Sequence, residues 1–298
     1  MLKPQAIIIS FLIIFNLLGC ADTGTVRRAR SVRDISEKEA LDTMSAKPRF
    51  NARRRFTYLM AWNNIPIGRI IAEVGDIKNY RGRDVYPVTL VTESNKFLSR
   101  IYRVEDTYIS YIDTRTMTSR RYEADRKEGS YRKHVIVEYD FDEMEAVYTN
   151  LTDGSVKRCP IEENVQDPLS AICYFMTLPV VPGEKISMTV NLNEKNYRLF
   201  GKIGNIDVVR LSRLGSFPAF KVRPYVELGS ERVRKGKAWV YFAGDKRRYP
   251  LYGVVLIPFG RVTATLREVK DGSTPGVATP GVATPGVEQV EQERQRRG

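Results

Sequence analysis

From Phe56 to Lys270 the chain runs through short segments in which apolar and polar residues alternate, and that period of two narrows the fold to an all-β one. The pattern is cleanest where Ile186, Met188, Val190 and Leu192 interleave with Ser187, Thr189, Asn191 and Asn193. Comparable segments, less regular in places, lie near 56–62, 67–77, 84–94, 97–104, 107–113, 116–126, 131–141, 144–150, 196–202, 205–213, 219–228, 237–243, 250–257 and 261–269. Their connectors are short and rich in turn residues, as at Asp153-Gly154, Gly204-Asn205 and Lys235-Gly236, so the strands pair as antiparallel hairpins. About fifteen strands exceed a small sandwich, and an open sheet of that size curls. The expectation is a large antiparallel curved sheet, or a barrel-like meander of about fifteen strands, with one short helix.

That helix begins at Asp167, a good N-cap, with Pro168 at N1. Leu169, Ile172, Cys173 and Met176 repeat at helical spacing, and Pro179 and Gly183 close it off. A lone amphipathic helix in such a fold plugs or covers one side of the sheet.

The chain ends differ from this β domain, 56–270. Residues 1–19 carry Lys3, an apolar run from Ala6 to Leu18 and Gly19 before Cys20, the parts of a secretory signal peptide in order. The run, about 13 residues, is shorter than the roughly 20 of a membrane-spanning helix. Leu17-Leu18-Gly19-Cys20 resembles the lipobox of bacterial lipoproteins, which implies diacylation of the Cys20 thiol and cleavage before it. Ala21 lacks the aspartate associated with inner-membrane retention, so the resemblance implies the periplasmic face of the outer membrane. Residues 20–55 are a basic polar tether, with a capping box at Ser36 and Glu39; as coil they span about 30–35 Å. Residues 271–298 contain a Thr-Pro-Gly-Val-Ala repeat, whose prolines forbid helix and ladder, so a disordered tail is expected.

Composition excludes several chemistries. With His134 as the one histidine there is no multi-histidine metal site, and three cysteines are too few for a four-thiolate one. His134 lies on a half-polar strand face with Arg132, Ile136, Glu138 and Asp140, where a surface role is expected. Asp167 and Ser170 match a helix cap better than an acid and a nucleophile, and Asp140, Asp142, Glu143 and Glu145 match a solvated turn better than a calcium loop. No catalytic residue, metal or cofactor is expected. Cys159 and Cys173 remain once Cys20 is acylated; a disulfide and two buried free thiols are both open.

The strongest binding signal is basic. The chain holds 48 Lys+Arg against 35 Asp+Glu, a formal charge of +13. Two clusters, Arg232, Arg234, Lys235, Lys237 and then Lys246, Arg247, Arg248, flank a strand that bears Trp239 and Tyr241. Export argues against nucleic acid as the partner, which leaves an anionic lipid, lipopolysaccharide or an acidic glycan; solvated loops that protect sheet edges are the competing reading.

Tyr58, Trp62, Asn64-Ile65-Pro66-Ile67-Gly68, Gln166-Asp167-Pro168-Leu169-Ser170-Ala171, Pro182-Gly183, Trp239, Asp245-Lys246-Arg247-Arg248-Tyr249-Pro250, Phe259-Gly260 and Leu266 stand in an order that resembles the exported bacterial family known as domain of unknown function 3108. The resemblance covers about 56–270 and implies a β-rich envelope protein. It brings no activity and no catalytic residues. The expected function is that of a non-enzymatic, lipid-anchored, periplasm-facing module that binds an amphipathic or acidic envelope component. The alternative is a scaffold for a protein partner in envelope biogenesis or polysaccharide export.

Overall fold

The structure, a computed structural model, describes residues 50–229, the backbone of 231–233, and 237–272. Sixteen strands form a single antiparallel sheet. They are β1 (Arg54–Trp62), β2 (Ile65–Val74), β3 (Lys78–Tyr80), β4 (Arg83–Ser94), β5 (Glu105–Asp113), β6 (Ser119–Glu128), β7 (Tyr131–Asp140), β8 (Glu145–Asn150), β9 (Val156–Pro160), β10 (Lys185–Leu192), β11 (Lys195–Leu211), β12 (Gly215–Leu228), β13 (Glu231–Val233), β14 (Lys237–Ala243), β15 (Pro250–Ile257) and β16 (Gly260–Asp271). Among the described residues two helices interrupt them, α1 (Lys96–Ser99) and α2 (Pro168–Phe175).

The spatial order is β10-β11-β12-β14-β15-β16-β1-β2-β4-β5-β6-β7-β8-β9, with β3 and β13 at the side. The first strand is therefore central: the chain meanders outward to β9, restarts at the opposite edge and meanders back until β16 pairs with β1. Such an order is a ring cut once, between β9 and β10. The segment carrying α2 fills the cut. Asp167 at the head of α2 accepts from Ser110 Oγ of β5 at 2.5 Å, while the ring of Phe175 near its end lies tilted 4.5 Å from that of Phe242 of β14. Six strand steps separate β14 from β5, about 29 Å in a flat sheet, whereas eight helical residues span about 12 Å. Only a strongly curled sheet lets one short helix touch both.

At the cut, Gln166 pairs in parallel with Val190 of β10, exchanging backbone bonds with Thr189 and Asn191. Asn191 then links the two edges: its Oδ1 accepts from Tyr148 Oη of β8 at 2.5 Å, and its Nδ2 donates to Asn196 at 2.6 Å and to Cys159 Sγ of β9 at 3.5 Å.

Local chemistry explains the turns. Asn63 and Asn64 have φ of 47° and 72°, the pair of left-handed residues that a two-residue hairpin between β1 and β2 requires. Alternation then sends Phe56, Tyr58 and Met60 inward. They join a core with Leu169 and Cys173 of α2, while Ala171 and Phe175 on the other side of the same helix join a second core with Phe220 and Phe242. α2 thus has no single apolar stripe. Ile172 and Met176, expected on the buried face, are only partly covered.

Several sequence expectations change. Residues 97–104 are not a strand: Asn95 caps α1 by accepting from Leu98 N–H at 2.9 Å, and Phe97 and Ile101 face solvent. Gly204-Asn205 is not a hairpin turn but a bulge inside β11, which stays paired with β12 on both sides of it. A Cβ on Gly204 would lie 3.0 Å from the Lys221 carbonyl, so glycine permits that approach. Strand β9, not anticipated, completes the edge. Arg54 and Arg55, assigned to the tether, already belong to β1, and Asp271, assigned to the tail, ends β16 as the partner of Arg54.

Because hairpins alternate, the barrel has two ends. The entry end gathers Arg54, Asp271, the 212–214 turn and the 244–249 loop; the far end gathers the turns at 63–64, 95–104, 151–155 and 258–259.

Candidate functional site

A cleft of about 710 Å³ opens at the entry end. Its apolar wall comes from β1, β15 and β16, whose inward positions place Phe56, Leu251, Leu266 and Val269 there, with Met176 beyond α2 and Phe217 of β12 opposite. Arg54, Lys246 and Arg247 supply positive charge, and Asp271 negative charge.

Tyr249 organises the cations. Its buried ring meets Phe56 edge-on at 4.9 Å, while the guanidinium carbons of Arg54 and Arg247 lie 5.2 and 5.6 Å from its centroid. Arg54 Nε also stands 2.9 Å from Asp271 Oδ1, so the first and last strands are pinned together at the cleft. Arg247 donates from Nε and Nη2 to Asp245 Oδ2 at 2.8 and 2.5 Å, a contact that holds its fork beside the opening. Lys246 is exposed and makes no ion pair among the described residues. An apolar wall beneath a net positive rim, in which Lys246 has no acidic partner among the described residues, suits a molecule with a hydrocarbon part and an anionic part.

The basic residues expected to bind anions separate on this geometry. Lys246 and Arg247 line the cleft. Arg248 does not: it is fully buried with φ of 49°, and its Nη1 donates to the Leu178 carbonyl beyond α2. Burial lowers its pKa to about 10. Arg248 is a structural clamp, and its assignment to anion binding is corrected. Lys237 is half-buried at the opposite end of β14 and lines no part of the cleft. Arg232 lies in β13 opposite Glu227, whereas Cys20, Arg234 and Lys235 lie outside the described residues. Arg54, Tyr249 and Asp271 were not anticipated. The signal for Arg54 was present, since the alternation of Phe56, Tyr58 and Met60 extends back to it.

The other candidates have structural employment. Asp167 Oδ1 accepts from Leu169 and Ser170 N–H at 2.6 and 2.8 Å, and Ser170 Oγ accepts from Asp167 N–H at 2.9 Å, a complete capping box. Burial raises the Asp167 pKa. His134 Nε2 lies 2.7 Å from Glu123 Oε1 on the sheet surface. Asp140 Oδ1 accepts from Asp142 and Glu143 N–H at 3.0 Å, which closes the turn between β7 and β8. Cys159 and Cys173 are free and buried.

The fold has a counterpart among solved structures. A β-barrel-like protein of domain of unknown function DUF1849 from Brucella abortus superposes with a TM-score of 0.52 at 8% identity, over 76% of this chain and 100% of that one. A Bacteroides fragilis protein with a YmcC-like fold gives a TM-score of 0.30 at 10% identity, over 76% of this chain and 100% of that one. No curated protein is a significant match. The family described as protein of unknown function DUF3108 matches residues 57–267, from Thr57 in β1 to Arg267 in β16, and the chain belongs to that family.

Proposed function

We propose that this protein is a lipid-anchored, periplasm-facing envelope protein that binds an amphipathic, anionic envelope component in the entry-end cleft without transforming it. The observation that carries this reading is the cleft itself, about 710 Å³, with hydrocarbon walls under Arg54, Lys246 and Arg247. The signal sequence and the lipobox-like cysteine at position 20 supply the address and the anchor. Phosphate or carboxylate on the ligand sits against Lys246 and Arg247, and its acyl or other apolar part lies along Phe56, Leu251 and Leu266.

The test is to purify the full chain from its native membrane and extract it for mass spectrometry, in parallel with a Lys246→Gln/Arg247→Gln variant. An anionic lipid, lipopolysaccharide or glycan fragment is expected with the wild type and depleted in the variant, and its retention should fall with added salt. Equal recovery from both proteins would remove the cleft from the account and return the function to a scaffold for a protein partner. Cys20→Ser should release the chain from the membrane fraction; unchanged fractionation would sink the anchor.

A further inference from the structure

The far end of the barrel carries an unusual surface. Ten large apolar residues are exposed among the described residues, and eight of them lie at far-end turns; Ile77 and Val181 are the exceptions. Five of the eight form a continuous arc. Trp62 and Ile65 flank the β1–β2 turn, Phe97 and Ile101 belong to the α1 segment, and Phe259 tips the β15–β16 turn, with exposures of 40, 55, 61, 78 and 76%.

Hydrogen bonds fasten these turns to one another. Trp62 Nε1 donates to the Phe259 carbonyl at 3.2 Å, and Asn63 Nδ2 donates to it at 3.3 Å. Asn95 Nδ2 donates to the Pro66 carbonyl at 2.7 Å, which holds α1 beside the first hairpin. The arc is thus presented by a braced framework. A chain that buries most large apolar residues of its strands but exposes five of them at three adjacent turns has left a hydrophobic contact surface.

Charge identifies its occupant. The three turns, 62–66, 95–104 and 258–260, contain Lys96, Arg100 and Arg103 and no acidic residue; Arg103 pairs with Glu105 just beyond them, which leaves Lys96 and Arg100 as the cations of the arc. Lys96 directly precedes Phe97 and Arg100 directly precedes Ile101, so cations stand beside the apolar tips. An indole and a phenyl ring with interleaved cations match the boundary between lipid headgroups and acyl chains, where apolar groups enter the hydrocarbon edge and ammonium or guanidinium groups meet phosphate.

We propose that the far end docks on an anionic bilayer surface, with Trp62, Ile65, Phe97, Ile101 and Phe259 inserted at the headgroup level. Docking in this pose points the entry-end cleft away from that bilayer, by about 30 Å for the nine residues of β1. This contact is separate from acylation of Cys20. The 33 residues between Cys20 and Arg54 reach at most about 120 Å when extended, enough to join an anchor in the same leaflet to the entry end.

Trp62 is one of two tryptophans, so it serves as its own depth probe in a full-length Trp239→Phe protein. The protein is added to phosphatidylethanolamine vesicles with and without phosphatidylglycerol, carrying brominated acyl chains, and the emission of the sedimented fraction is read. Bromine quenching of Trp62 is expected with phosphatidylglycerol present, together with protection from acrylamide. Phe97→Ser/Ile101→Ser/Phe259→Ser should abolish the quenching at an unchanged melting temperature. Lys96→Gln and Arg100→Gln should each weaken vesicle binding of the far end about fivefold. A Trp62→Phe protein, which retains Trp239, should show no quenching. Whether Cys20 is acylated changes how much protein sediments; the depth of Trp62 is read only on what does. Trp62 as open to acrylamide on vesicles as in solution, shielding without bromine quenching on native membranes (a protein partner), or no binding to anionic vesicles would each overturn the proposal.

Discussion

Arg248 donates from Nη1 to the carbonyl of Leu178, seventy positions earlier in the chain, and so ties the 244–249 loop to the segment that leaves α2. The adjacent Arg247 is half-exposed and held by Asp245. Two adjacent arginines therefore do opposite things. Arg248→Gln is expected to destabilise the protein by about 2–4 kcal/mol, because a buried acceptor loses a charged donor. Arg247→Gln should change stability by less than about 1 kcal/mol, as for exposed ion pairs. Urea denaturation of the two variants checks this; equal effects would mean that Arg248 is not a clamp.

Asn191 is the polar pin where the ring of strands is cut, and its neighbours depend on it. Asn191→Leu leaves the Tyr148 hydroxyl and the Asn196 side chain without it, at a cost of about 2–4 kcal/mol. Tyr148→Phe removes only one bond and should cost about 1 kcal/mol. Non-additivity of the double variant, measured by denaturation, is expected to reach at least about 0.5 kcal/mol. Strict additivity would show that the edges are held by the ladder at Gln166 alone.

What was legible in the sequence was what depends on neighbours along the chain. The Asp167 cap, the Asp140 turn and the strand near 56–62 are each determined within a few residues, and each stands as read. Arg248 was illegible because a Lys-Arg-Arg run looks alike in a solvated loop and in a buried one; its left-handed backbone and a partner seventy residues away decide the matter. The bulge at Gly204 looked like a turn because its composition is that of one, and only the register on β12 shows the strand continuing. The cleft is assembled from β1, β12, β15 and β16, strands brought together by the closing pair β16–β1, so no local pattern announces it.

Cys159 and Cys173 are buried as separate thiols, one against Asn191 at the cut and the other on α2 in the core. Burial pushes both thiols up in pKa, Cys173 far above its ordinary value, so thiolate is scarce. Alkylation in denaturant without reductant is expected to modify both, alkylation of the native protein neither, and reductant should leave the melting temperature unchanged. Recovery of a peptide cross-linked through Cys159 and Cys173 would overturn this.

Asp106 makes stability depend on pH. Its carboxylate is buried beneath β6, where Oδ1 accepts from Lys127 N–H at 2.8 Å and Oδ2 from Tyr108 Oη at 3.4 Å. Burial dominates and, with Glu128 nearby, lifts its pKa from the ordinary 3.8 to about 7, against the pull of the Lys127 N–H and of Arg126. Between those values the native state keeps a proton that the unfolded chain has released, so the contribution of Asp106 to stability falls as pH rises from about 4 to about 7 and is level above. Asp106→Asn keeps an acceptor for Lys127 and never ionises. It should match the wild type near pH 4 and exceed it at pH 8, by up to about 4 kcal/mol. Denaturation midpoints measured for both proteins across that range decide the point: profiles that run parallel would show that the buried carboxyl does not titrate there.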